Sequence, residues 1–182
     1  GVSFDAACLT EPLSGAWKGV VQYSEMQVGD DVVIIGVGSI GLLCLLVARA
    51  AGAGRLVAID TSAHARRRAL ALGATHAVDP VGEDARARVY EILPGGPDVV
   101  VEATGSEHGF QEAVSLCRPR GRLVLKSTIA ARSGTDLAPV VVNEVQIIGS
   151  RCGLFSRGLP ALLDHRFVAP LLQGGVSGSL QL

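Results

Sequence analysis

The sequence carries almost no excess of charge: 16 basic residues against 17 acidic ones leave a formal net charge of −1. A balance so near neutral gives no basic footprint for nucleic acid or for an anionic membrane surface, and neither is expected as a partner. Long apolar runs are missing too. The longest, residues 40–47, falls far short of the roughly 20 residues that cross a bilayer as a helix. Cysteine is scarce and scattered. Cys8, Cys44, Cys117 and Cys152 show no Cys-x-x-Cys spacing, which argues against a zinc knuckle. Cys44 stands in an apolar helical run and reads as packing. No signal-peptide pattern opens the sequence, so a reduced, cytoplasmic protein is expected. Methionine occurs once, as Met26 within an expected helix, and the first residue is Gly1. Initiator removal or a cut from a longer protein would explain that start, and the cut is favoured.

What is present is small and aliphatic. Of the 182 residues 48% are hydrophobic, only 4% are aromatic, and 23 are glycine. This suits one domain built on a parallel sheet with helices on both faces. Strand and helix signals alternate from residue 31 onward, the pattern of βαβ units. Strands are expected at 31–36, 55–60, 76–79, 98–102, 121–126 and 145–149, and helices at 39–51, 62–72, 83–93 and 108–117. Gly73 stops one helix and Pro80 bars the third strand from continuing. A loop containing Pro139 is expected before the sixth strand. The whole reads as an α/β, doubly wound, parallel six-stranded Rossmann sheet, spanning 25–172. Residues 1–24 are expected to be a linker helix entering it, and 173–182 a flexible Gly/Ser-rich tail.

The first strand ends in Gly36-Val37-Gly38-Ser39-Ile40-Gly41. On its own a Gly-x-Gly-x-x-Gly is weak, but between a strand and a helix it carries a mechanism. Gly36 permits the tight turn, Gly38 lets backbone N–H groups approach a pyrophosphate, and Gly41 lets the helix pack close to the strand. The helix N-terminus then offers unpaired donors and partial positive charge to phosphate. Asp60 ends the second strand, 24 residues after Gly36. A carboxylate there accepts from ribose hydroxyls and repels a 2′-phosphate, which points to NAD. Asp60, Thr61 and Ser62 also suit a helix N-cap, and both roles can hold on different residues. Arg66, Arg67 and Arg68 would favour NADP if they faced the cofactor, but within a helix they read mainly as a solvated face.

Several segments together resemble the cofactor domain of the zinc-type medium-chain alcohol and polyol dehydrogenases. These are Glu11-Pro12-Leu13-Ser14, the Gly36 turn, Asp60, Leu72-Gly73-Ala74, the run from Asp98 through Glu102-Ala103-Thr104 to Gly105, and Gly149-Ser150-Arg151-Cys152-Gly153. The resemblance covers about residues 4–172. It implies a two-part enzyme in which one domain holds zinc and the other holds NAD(P). A zinc ligand, cysteine or glutamate, lies about 25 residues before the glycine turn in that family, and Glu11 stands there. Read without the resemblance, Glu11 is a first-turn acid beside Pro12, favoured by the helix dipole. The resemblance further implies that Ile40 backs the nicotinamide side of the turn, and that Ala103 and Thr104 flank the adenosine. Lys126, Ser127, Gly149, Ser150 and Cys152 would line the nicotinamide end. The family often has a basic residue five positions after the ribose acid; here it is Ala65, with Arg66 adjacent. The family also dimerises by joining sixth strands edge to edge, so a homodimer is expected.

Two functions from different classes follow. One is the NAD-binding part of a zinc-dependent enzyme that moves a hydride between an alcohol or polyol and NAD, its catalytic domain absent from these residues. The other is a stand-alone NAD-responsive module without chemistry. A short-chain dehydrogenase needs Tyr-x-x-x-Lys, whereas Tyr23 is followed at that spacing by Gln27 and Tyr90 by Pro94. A methyltransferase turn usually reads Gly-x-Gly-x-Gly, and position 40 is isoleucine.

Overall fold

In the computed structural model, which describes residues 8–129 and 134–153, six strands form one parallel sheet. They are β1 (Val32–Ile35), β2 (Leu56–Ile59), β3 (His76–Val78), β4 (Val99–Glu102), β5 (Arg122–Leu125) and β6 (Gln146–Gly149). Their spatial order is β3-β2-β1-β4-β5-β6. β1, β2 and β4 are buried along their whole length. That is why their sequences are continuous Val, Ile, Leu and Ala rather than alternating. Each such side chain removed from water contributes about 1.5–3 kcal/mol before the entropy of ordering it is subtracted.

The helices are α1 (Thr10–Trp17), α2 (Ser39–Ala50), α3 (Ala63–Ala71), α4 (Ala85–Ile92), α5 (Glu107–Leu116) and α6 (Ala138–Val142). α1, α2 and α3 bury their apolar residues against one face of the sheet, through Val32, Ile34, Val99 and Val101. α4 and α5 cover the other, through Val33, Ile35, Val100 and Leu123. Alternate strand residues thus feed two separate cores, as the period of two along a strand requires. Cys44 lies fully inside the first core, where burial pushes its thiol up to about 12, and this agrees with its reading as packing.

Most expected elements are present with ends one or two residues shorter, and two regions differ in kind. α1 runs on into a π-helical segment, Lys18–Tyr23, and Met26 lies beyond it, itself buried, in the largely exposed link to β1 rather than in a helix. The stretch around Pro139 is not only loop: α6 starts there, with the proline in its first turn, a position that needs no N–H. The expected tail 173–182, and residues 154–172 of the expected domain, lie outside the described residues. Among the described residues no helix is long and apolar enough to cross a membrane.

The register decides what lies together at the carboxyl ends. Ile35 is level with Ile59 of β2 on one side and with Glu102 of β4 on the other. The chain leaves β1 toward one neighbour and returns to the other side only at β4. The loops after Ile35, Ile59 and Glu102 therefore part and leave a crevice at this switch point.

Candidate functional site

Gly36 leaves β1 with φ +82°, its N–H donating to Ile59 O at 2.8 Å. A Cβ on Gly36 would come within 2.9 Å of the Ala103 backbone and of Thr104 Cγ2. A side chain is thus excluded by both backbone angle and space. A Cβ on Gly41 would collide with the carbonyl oxygen of Gly36, so only glycine lets α2 begin so close to β1. Gly38 is different. A Cβ there would meet nothing within 4 Å, so its open side faces the crevice rather than the protein. The first backbone bond of α2 is Leu42 N–H to Gly38 O, 2.9 Å. The N–H groups of Ser39, Ile40 and Gly41 precede it, and such groups at a helix N-terminus suit an anion.

Asp60 stands just past β2. Its Oδ2 accepts from Val37 N–H at 2.9 Å and its Oδ1 from Ser62 N–H at 2.8 Å. Each oxygen retains acceptor capacity after those bonds. The cap of α3 is Ser62, whose Oγ accepts from Ala65 N–H, so carboxylate and cap are separate residues. Arg66 is engaged by protein groups. Its guanidinium donates to Asp60 O at 2.6 Å and Thr61 O at 3.0 Å, and pairs with Asp79 at 2.7 Å. Val81 N–H and the Arg66 charge in turn hold the Asp79 carboxyl below its usual range.

A cleft of about 380 Å³ opens along these loops, lined among others by Gly36, Gly38, Asp60, Thr61, Ala103 and Thr104. That volume falls within the range of small-molecule sites. Val37 is buried beneath it, and Ser39 and Ile40 are exposed at its edge. The lining also includes Pro80, Ser106, His108 and Glu112, none of which the sequence reading singled out. Another residue it passed over is Glu102. Its Oε1 accepts from Thr104 N–H at 2.7 Å, Thr104 Oγ1 at 2.5 Å and Gly105 N–H at 3.3 Å, while Oε2 is buried with no partner among the described residues. It shapes the Thr104 wall of the cleft from below. An acid closing the apolar run 99–101 was the available signal.

The residues expected at a nicotinamide end lie outside the lining of this cleft. Ser127 Oγ accepts from Gly105 N–H at 2.8 Å, beside the cleft. Lys126 Nζ donates to Gly15 O at 2.9 Å, Ser150 O at 3.1 Å and Arg151 O at 2.9 Å. It pins α1 to the segment after β6, and burial lowers its pKa. Gly149 ends β6, Ser150 is buried behind it, and the exposed Cys152 offers its carbonyl to Lys18 Nζ. Glu11 is exposed in the first turn of α1. Among the described residues no three His, Cys, Asp or Glu side chains come together, so on their own they do not fit a metal. A dinucleotide does fit: the open side of Gly38 and the three free N–H groups suit a pyrophosphate, and Asp60 lies one loop away for a ribose.

The two glycines separate function from folding. Gly38→Ala is expected to leave the unfolding midpoint nearly unchanged while weakening NADH binding by about tenfold or more, since its Cβ enters the pyrophosphate space. Gly41→Ala is expected to destabilise the fold by about 1–3 kcal/mol through overpacking. Paired thermal melts and fluorescence titrations check this; equal effects on both readouts in both variants would contradict it.

Comparison with known proteins agrees with this geometry. The family described as zinc-binding dehydrogenase matches residues 39–166. Sorbitol dehydrogenase of Rattus norvegicus is 32% identical over 152 residues, covering 81% of this chain and 42% of that protein. The chain thus spans less than half the length of this relative. A solved structure described as a zinc-binding dehydrogenase from Sinorhizobium meliloti 1021, bound to NADP, superposes with a TM-score of 0.81. It is 27% identical, over 89% of this chain and 49% of that one. The 2R,3R-butanediol dehydrogenase of Bacillus subtilis gives 0.81 at 26% identity, over 97% and 54%. The chain belongs to the zinc-type medium-chain alcohol and polyol dehydrogenase family and matches its nicotinamide-cofactor-binding part.

Proposed function

We propose that these residues are the NAD-binding part of a cytoplasmic, zinc-dependent dehydrogenase that passes a hydride between an alcohol or polyol and NAD. The observation that carries the cofactor half is Asp60: its carboxylate is fixed by Val37 and Ser62 N–H groups at the rim of the cleft. When bound, the nicotinamide supplies the hydride acceptor. This chain's own part is to hold the pyrophosphate on the N–H groups of Ser39, Ile40 and Gly41 and the ribose on Asp60. Thr104, held by Glu102, closes the other wall. The sorbitol and butanediol dehydrogenases among the similar proteins support an alcohol or polyol as the substrate class. Zinc in the whole enzyme would need ligands beyond Glu11.

NAD rather than NADP follows from charge. A 2′-phosphate beside Asp60 would meet an unpaired carboxylate, while Arg66 is already bound to Asp79 and two carbonyls. Unit charges near 4 Å interact by about 4 kcal/mol at a surface-like dielectric, less after salt screening. A preference for NADH over NADPH of roughly tenfold to a few hundredfold is expected. Asp60→Asn, which keeps the shape and removes the charge, should narrow it. Equal affinities in a fluorescence titration of the unaltered chain would contradict the proposal.

We also propose a homodimer through β6. Among the described residues this strand pairs with β5 on one edge and with no strand on the other, with Ile147 39% exposed and, in the helix that precedes it, Val141 and Val142 at 77% and 78%. An open apolar edge favours pairing with a second copy. Light scattering is expected to give twice the monomer mass, and Ile147→Lys to give the monomer. A monomer without the substitution, or a dimer that survives it, would count against this interface.

A further inference from the structure

Beyond Asp60 the cleft continues away from the switch point, and the sheet order fixes what it meets. β2 lies outside β1, and β3 outside β2, so a chain of groups laid from Gly38 over Asp60 next reaches the loop after β3. Pro80 lines the cleft from that loop. His108 and Glu112, one turn apart on α5, are in the lining too. If pyrophosphate occupies Gly38 and ribose Asp60, the base of the dinucleotide falls between Pro80 and α5.

The polar groups bordering that slot are unequally occupied. Ser106 Oγ is used by Thr104 Oγ1 and by Gly109 N–H, capping α5. Among the described residues the Glu112 carboxylate has no hydrogen bond and no ion pair, although it is partly buried. Burial raises its pKa, while the neighbouring His108 charge opposes this and Asp84 adds to it. A carboxylate half removed from water and left unpaired is costly unless a ligand donor completes it.

We propose that Glu112 reads the base, accepting a hydrogen bond from the exocyclic amine of adenine, and so selects an adenine dinucleotide over one with a carbonyl at that position. This rests on the cofactor reading above. Hypoxanthine is the isosteric probe: it replaces the donating amine with an accepting oxygen, which Glu112 would repel. The gap rests on one charge-assisted hydrogen bond and should be roughly tenfold to a hundredfold.

The test titrates the chain with NADH and with reduced nicotinamide hypoxanthine dinucleotide, then repeats both with Glu112→Gln and Glu112→Ala. The expected result is a tenfold or larger preference for NADH in the unaltered chain. Glu112→Gln, which can donate or accept, should nearly abolish that preference. Glu112→Ala should shrink it mainly by weakening NADH. Equal binding of both dinucleotides by the unaltered chain overturns the proposal, as does a preference for hypoxanthine. A preference that persists in both variants overturns it as well and assigns base selection to another part of the cleft. Binding of neither dinucleotide overturns the cofactor reading and this one with it, and is distinguishable because no probe then gives a signal.

Discussion

At Gly41 the first turn of α2 lies so close to the Gly36 carbonyl that one added carbon has no room. That approach aims the free N–H groups of Ser39, Ile40 and Gly41 into the crevice. It depends on β1 and α2 being packed from all sides. β1 is buried along its length, and in α2 every residue from Gly41 to Ala48 is buried. A helix with an apolar surface nearly all round holds its place by packing rather than by propensity. The sheet register then brings the loops that carry Asp60 and Thr104 to the same end of the sheet. Hydrophobic burial, in itself without direction, thus becomes a directional arrangement of donors and acceptors.

Charge around the crevice is arranged to leave particular groups free. Arg66 is tied to Asp79 and two carbonyls, and Lys126 to three, so neither cation is offered to the cleft. The acids that line it are Asp60, held by backbone N–H groups, and Glu112, to which no described residue donates. Two other ion pairs, Arg55 with Asp31 and Arg118 with Asp98, stand at the opposite ends of the strands. There Asp98 also accepts from Asp31 N–H at 2.8 Å. They join strand ends to loops, and as partly exposed pairs they add little stability individually.

The fold was legible because parallel strands buried on both faces read as unbroken runs such as Val32–Ile35, and Gly73 and Pro80 punctuate what lies between. The ends were overread where flanking residues spend their groups elsewhere. Asp31 and Asp98 were counted as strand, yet their carboxylates bridge loops. α6 was hidden by Pro139, which breaks a helix interior but fits its first turn. In the site, Gly36, Gly38, Gly41 and Asp60 could be read because backbone requirements tie them to fixed spacing. Glu102 left only the trace of an acid closing an apolar run, and His108 and Glu112 left none, since their importance comes from the level at which α5 meets the crevice. The engagement of Arg66 and Lys126 was equally invisible, because carbonyl partners leave no mark on the sequence.

Amide mapping by NMR with ADP-ribose, on the uniformly labelled chain, tests the central claim most directly. The glycine turn and Asp60 predict the largest shifts at the backbone N–H groups of Gly38, Ser39, Ile40 and Gly41, with further shifts at Thr61 and Ser62 and little change along β6. Saturable binding with shifts clustered elsewhere, leaving residues 38–41 unmoved, would contradict the account.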